Sequence, residues 1–143
     1  MYWPAGYLNK SILRLGGSEI QRAGFEAFIA GFNAGNFDAV GDYYTEGAVV
    51  EFHPDQKMVG RGKIVEGFKE TDKTMKVTFE TEKIICDDGG ICLHAKEKFV
   101  ALADVPEFLV KPMKRAESFS RPVMIVFVLS AGLISGSKSM VMR

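Results

Sequence analysis

From Lys76 to the C-terminus the chain carries four long strand-like runs and no helix signal, and every helix-like segment lies before them. The runs are KVTFETEKIIC, ICLHAKEKFVALAD, ESFSRPVMIVFVL and LISGSKSMVM. Asp88-Gly89 and Ala131-Gly132 fall between apolar runs as expected hairpin turns, with Ala131 a poorer fit to a primed turn than Asn or Asp. A sheet of this length has a face to cover, and three short helices cannot cover all of it. Curvature must therefore enclose part of that face around a cavity, and such cavities suit apolar molecules. The expected fold class is α+β, with three N-terminal helices on a strongly curved mixed or antiparallel sheet that encloses a pocket.

Upstream, Ser18 and Gln21 are spaced as a capping box, which predicts a helix bearing Phe25, Phe28, Ile29 and Phe32 on one face. Gly35 supplies a left-handed stop. Asn36 or Asp38 can cap a shorter helix carrying Val40, Tyr43 and Tyr44, after which Glu46-Gly47 is expected to turn the chain. A short strand, Ala48 to Pro54, and a third helix from Gly60-Arg61-Gly62 to about Lys73 complete the first half, the helix presenting Ile64, Val65 and Phe68. Between Asp104 and Lys114, two prolines bracket Phe108, Leu109 and Val110, which suggests a long loop with an apolar tip over a pocket mouth. The reading is a single domain over 1–143, with 1–17 as an N-terminal extension.

Charge narrows the partners. Eighteen basic residues balance eighteen acidic ones, so no broad field draws nucleic acid or anionic lipid. The apolar run Val123 to Ile134 is broken by Ser130 and Gly132 and falls short of the roughly twenty residues of a membrane span. With no continuous apolar segment at the N-terminus, a cytoplasmic protein is expected. Cys86 and Cys92 flank a turn that sets Cys86 opposite Ile91, which predicts two free thiols; without a second pair they make no closed zinc site.

Alternation along the first strand separates Val49, Glu51 and His53 from Val50 and Phe52. If the polar set faces the cavity, Glu51 can orient His53 as a base matched to a proton beside a carbonyl; if Val50 and Phe52 face inward, the polar pair is solvated. In ICLHAKEKFVAL, Leu93, Ala95, Glu97, Phe99 and Ala101 share a face of buried character. Glu97 among apolar neighbours suits a general acid, or else pairs structurally with Arg121 or Arg115. Arg121 is a candidate for binding an enolate at the cavity mouth, or is an edge-strand residue beside Pro122. The expected walls are Phe25, Phe28, Phe68, Phe99 and Phe127, with Tyr44 as a further substrate-binding candidate, although aromatics on a helix are more often core. His94 shares its face with Lys96 and Lys98 and is expected to be exposed.

FIAGFNAGNFDAVGDYYTEGAVVEFHP, GRGKIVEGF, FVALADVPEFLVKP and VMIVFVLSAGLI together resemble the SnoaL-like polyketide cyclase family of the nuclear transport factor 2 superfamily, over Ser18 to the C-terminus. The resemblance implies a cone-shaped α+β fold. DVPEF and FVAL look most like the small members found in fungal secondary-metabolite pathways. The superfamily includes cyclases, isomerases, dehydratases, epoxide hydrolases and proteins without catalysis, and most of its enzymes need no metal or organic cofactor. Some members place a catalytic carboxylate just before a proline, where this chain has His53-Pro54. The Asp–Arg–Asp arrangement of the epoxide hydrolases finds no aspartate in LHAKEKF or GLISGSKSMVM.

The expectation is a cofactor-independent isomerase or cyclase on a polyketide- or terpenoid-derived intermediate, with a dehydratase, a hydrolase or a non-catalytic binding or dimerisation module as rivals. Ser118 to Leu129 and Leu133 to Met142 leave a sheet face uncovered, so a homodimer is expected, with no metal, nucleic acid or membrane partner.

Overall fold

A computed structural model describes residues 18–52, 56–87, 89–108 and 110–142, with side chains from Ala23 onward. The expected N-terminal extension, the side chains of the Ser18–Gln21 capping box, and His53 and Pro54 lie outside the described residues. Helix α1 is Ser18–Asn33, α2 Phe37–Gly41 and α3 Arg61–Asp72. The strands are β1 Tyr44–Phe52, β2 Gln56–Val59, β3 Met75–Asp87, β4 Gly90–Ala101, β5 Ser118–Ser130 and β6 Leu133–Val141. They form one mixed sheet in the order β2-β1-β6-β5-β4-β3, in which only β1 and β6 run parallel. The sheet is not closed, and the helices lie over its concave face as an α+β cone. None of the described helices is long and apolar enough to cross a membrane.

Local sequence accounts for most boundaries. Phe25, Phe28 and Ile29 are buried along one face of α1, with Phe32 packed against them. Gly35 then adopts φ +79°, its N–H donating to Phe32 O and the Asn36 N–H to Gly31 O, so paired reverse bonds close the helix end. Asn33, the last residue of α1, clamps the edge strand: its Nδ2 donates to Phe79 O at 2.9 Å and its Oδ1 accepts from Phe79 N at 2.8 Å. Ala131 and Gly132 both have positive φ, as a primed two-residue turn between Ser130 and Leu133 demands. An alanine there costs about 1 kcal/mol in backbone strain.

Two expectations are corrected. Tyr44 opens β1 and is not on α2, which stops at Gly41. Glu46-Gly47 lies inside β1: five steps from Tyr44 to Val49 run beside two steps from Ile134 to Gly136, so a bulge absorbs the expected turn. β2 was not foreseen from sequence. QKMV is short and carries little alternation, and it becomes a strand because β1 offers an open edge, pairing Val49 with Val59 and Phe52 with Gln56.

The core has two parts. The larger joins α1 to β4, β5 and β6 through Phe25, Leu93, Ala95, Val123, Phe127 and Ile134. Each large side chain buried there contributes about 1.5–3 kcal/mol of transfer free energy. The smaller centres on Phe99, Met75 and Met113 and lies under the loop between β4 and β5. Along β4 the buried residues are Ile91, Leu93, Ala95, Phe99 and Ala101, and Lys96 and Lys98 point outward, so the strand's two faces separate as alternation demands. Cys86 pairs in register with Ile91, and Cys92 is a free thiol.

Candidate active site

Between the helices and the concave face lies a cavity of about 420 Å³, within the range of small-molecule sites. Nine of the eleven phenylalanines line it; Phe25 and Phe119 are the others. α1 and α2 supply rings from one side, α3 supplies Phe68, the inner positions of β1, β3, β4 and β5 supply four more, and the β4–β5 loop supplies Phe108. An arrangement this apolar gives an electrostatic event inside it little competition from water.

Among the described residues, one ion pair has both its members in this wall. Glu97 on β4 and Arg121 on β5 are register partners, so their side chains leave the sheet on the same face. Arg121 Nε donates to Glu97 Oε1 at 2.8 Å, and the two side chains are only 12% and 14% exposed. Arg121 Cζ lies 5.3 Å from the ring centroid of Phe99, two residues along β4, so the guanidinium rests on an aromatic shelf. Burial pushes the Glu97 carboxyl above its ordinary value, opposed by the charge and the hydrogen bond of Arg121. The carboxyl is thereby brought closer to the range in which it can both take and return a proton near neutrality. Among the described residues only Nε of Arg121 is bonded to a protein acceptor, leaving its terminal nitrogens for a ligand oxygen.

The other candidates divide by strand face. Val50 and Phe52 line the cavity, so Glu51 projects from the opposite face of β1, between its register partners Lys57 and Lys138. The sequence expectation that Glu51 works inside the cavity is corrected accordingly: alternation admits one set inward, and the apolar set takes it. His53 lies outside the described residues. The other histidine, His94, sits on the outer face with Nε2 3.4 Å from Glu82 Oε2. Phe28, Phe68, Phe99, Phe127 and Tyr44 line the cavity, and burial holds the Tyr44 phenol well above its ordinary range. Phe25 does not line it; it is fully buried behind the wall, its ring centroid 5.5 Å from Phe28 and 4.9 Å from Phe127.

Sequence reasoning missed the cavity's remaining polar groups. Ser137 and Ser139 of β6 line it opposite Phe127 and Ile125, and Thr71, Asp72 and Glu107 line it from α3 and the β4–β5 loop. Their signal was available in part, since a period of two through SGSKSM places both serines on one face. Which face turned inward depended on pairing with β5. Among the described residues no three His, Cys, Asp or Glu side chains gather as metal ligands.

Comparison with known proteins agrees with this architecture. A family model described as SnoaL-like domain matches residues 25–136. Among solved structures, one named as a SnoaL-like polyketide cyclase by assignment, from Shewanella denitrificans, superposes with a TM-score of 0.73 at 12% identity, covering 87% of this chain and 92% of its own. A second assigned polyketide cyclase, from Xanthomonas campestris, gives 0.71 at 13%, covering 92% and 90%. A third, an LEH-like epoxide hydrolase of M. tuberculosis, gives 0.68 at 13%, covering 93% and 84%. At such identities these structures speak for the fold alone. No curated protein matched significantly. With the family model spanning most of the chain and the cone fold shared, this protein belongs to the SnoaL-like domain family.

Proposed function

We propose that this protein is a cofactor-independent isomerase or cyclase that moves a proton on a carbonyl-bearing intermediate of polyketide or terpenoid origin. The observation that carries the reading is the Glu97–Arg121 pair set into a phenyl-lined cavity. The Glu97 carboxylate takes a proton from the carbon beside the carbonyl. The free N–H groups of Arg121 donate to the carbonyl oxygen as it becomes an enolate, and the protonated Glu97 then returns the proton to another carbon. Phenyl walls hold the rings of the substrate and exclude water. Glu51 has no part in this reading, and His53 enters it only as a second proton carrier to be tested.

The test is exchange and isomerisation of cyclic ketones in deuterium oxide, followed by mass and retention time. Wild-type protein is expected to incorporate deuterium beside the carbonyl and to shift retention at constant composition. Glu97→Gln is expected to slow both by about 10²–10⁴-fold, the usual worth of a positioned acid–base group. Loss of water from the substrate points to a dehydratase instead. Wild-type rates in both Glu97→Gln and His53→Ala, or ligand binding with no exchange at all, would leave a non-catalytic binding module.

We also propose a homodimer formed through the convex face of the sheet. Val126 and Val128 on β5, Met140 on β6 and Ile85 on β3 are exposed there, Val128 and Ile85 by more than half, and no described helix covers them. A second copy of the same face satisfies such a surface by two-fold symmetry. Light scattering is expected to give twice the chain mass, and Val128→Lys to give a folded monomer. A wild-type monomer at tens of micromolar rules the dimer out.

A further inference from the structure

After Ala101 the chain leaves the sheet and returns at Ser118, and the base of this excursion is firmly tied. Leu102 N donates to Thr74 O at 2.8 Å, and Ala116 N to Ala101 O at 2.8 Å. Val105 and Met113 exchange both backbone hydrogen bonds, at 2.7 and 3.1 Å, and Asp104 Oδ1 accepts from Arg115 N at 2.9 Å. Met113 is buried in the smaller core.

Beyond the Val105–Met113 bridge the character changes. Residues 106–112 begin and end on proline, and neither proline has an N–H to contribute. Among the described residues of this segment, the backbone hydrogen bond is Phe108 N to Val105 O at 3.3 Å. Three of these described residues hold to the body by side chains: Phe108 packs edge-on against Phe99 at 5.4 Å, Val110 joins the same cluster, and Lys111 Nζ stands 5.3 Å from the Phe119 ring.

Phe108 lines the cavity, and the ring it touches, Phe99, is the shelf beneath Arg121. The end wall made by Phe108 therefore stands beside the polar pair, at the end where a bound carbonyl is held. We infer that Phe108 determines the size of the group that a ligand can place beyond its carbonyl. The inference rests on the proposed site only in that a carbonyl is held at Arg121, and it does not require turnover.

Binding of 2-acetonaphthone and its homologues with longer n-alkyl chains tests it, read by their fluorescence against wild-type, Phe108→Ala, Phe108→Leu and Phe108→Trp proteins. The naphthalene fills the phenyl-lined space and the alkyl chain extends toward Phe108. In the wild type, affinity is expected to rise about fourfold per methylene and then stop where the chain meets the ring. Phe108→Ala should move that stop outward by about two methylenes, Phe108→Leu by less, and Phe108→Trp inward, since the void or added ring changes the room available. Opposite displacements by smaller and larger residues are not what a merely structural role gives. A stop that stays at the same homologue in folded Phe108→Leu and Phe108→Trp overturns the inference. A displaced stop in a protein that exchanges no ketone proton keeps the inference and removes the isomerase reading; an unmoved stop in an active protein does the reverse.

Discussion

Arg121→Ala is expected to lose about 3 kcal/mol of stability at pH 7, the lower end of what breaking a buried ion pair costs, because the cavity gives Glu97 some access to water. The pH dependence makes the cause visible. Removing Arg121 removes both influences that lower the Glu97 pKa and leaves burial, which raises it. Between the ordinary carboxyl value of 4.5 and the raised folded one, the folded state binds more protons than the unfolded state, so stability falls as pH rises through that window. Below the ordinary value the carboxyl is neutral in both states and the penalty is absent. Denaturant unfolding at pH 4 and pH 7 should therefore show a larger loss at pH 7. The double variant Glu97→Gln with Arg121→Met should recover most of the loss, since no unpaired charge remains. An equal loss at both pH values, with no recovery in the double variant, would mean that the arginine acts through packing on Phe99 and not through its charge.

Phe25→Ala is expected to be the most damaging single change in the wall region, at about 3–5 kcal/mol, because a fully buried ring leaves a void that its neighbours cannot fill. Phe28 and Phe127 lean on Phe25 from the cavity side, so the loss loosens two lining rings at once. Phe68→Ala, by contrast, removes a ring that already has the cavity on one side and loses fewer contacts. It should cost less stability and alter ligand affinity more. Chemical denaturation with ligand titration separates the two. A stable Phe25→Ala protein with changed ligand preference would place Phe25 in the wall after all.

The elements were legible wherever local chemistry was decisive. The Phe25–Phe28–Ile29–Phe32 stripe, the left-handed Gly35 and the Ala131-Gly132 turn all report backbone or side-chain demands that neighbours in sequence set by themselves. The face of β4 bearing Glu97 was legible too, because apolar residues flank it at every second position. Alternation alone was silent on β1. Val50 with Phe52 and Glu51 with His53 are equally regular sets, and only pairing with β6 and β2 decided that Val50 and Phe52 turn inward.

Chain pattern determined by itself the helix-then-sheet order, the buried character of Glu97 and the apolar tip between Pro106 and Pro112. Tertiary structure decided what meets across space. The register of β4 on β5 chose Arg121 over Arg115 as the partner of Glu97, twenty-four residues away. The bulge in β1 converted an expected turn into strand, and the open edge of β1 recruited QKMV as β2. Period and propensity act over a few residues, whereas register is fixed by the whole sheet's burial, so partners across strands emerge only once the fold is complete.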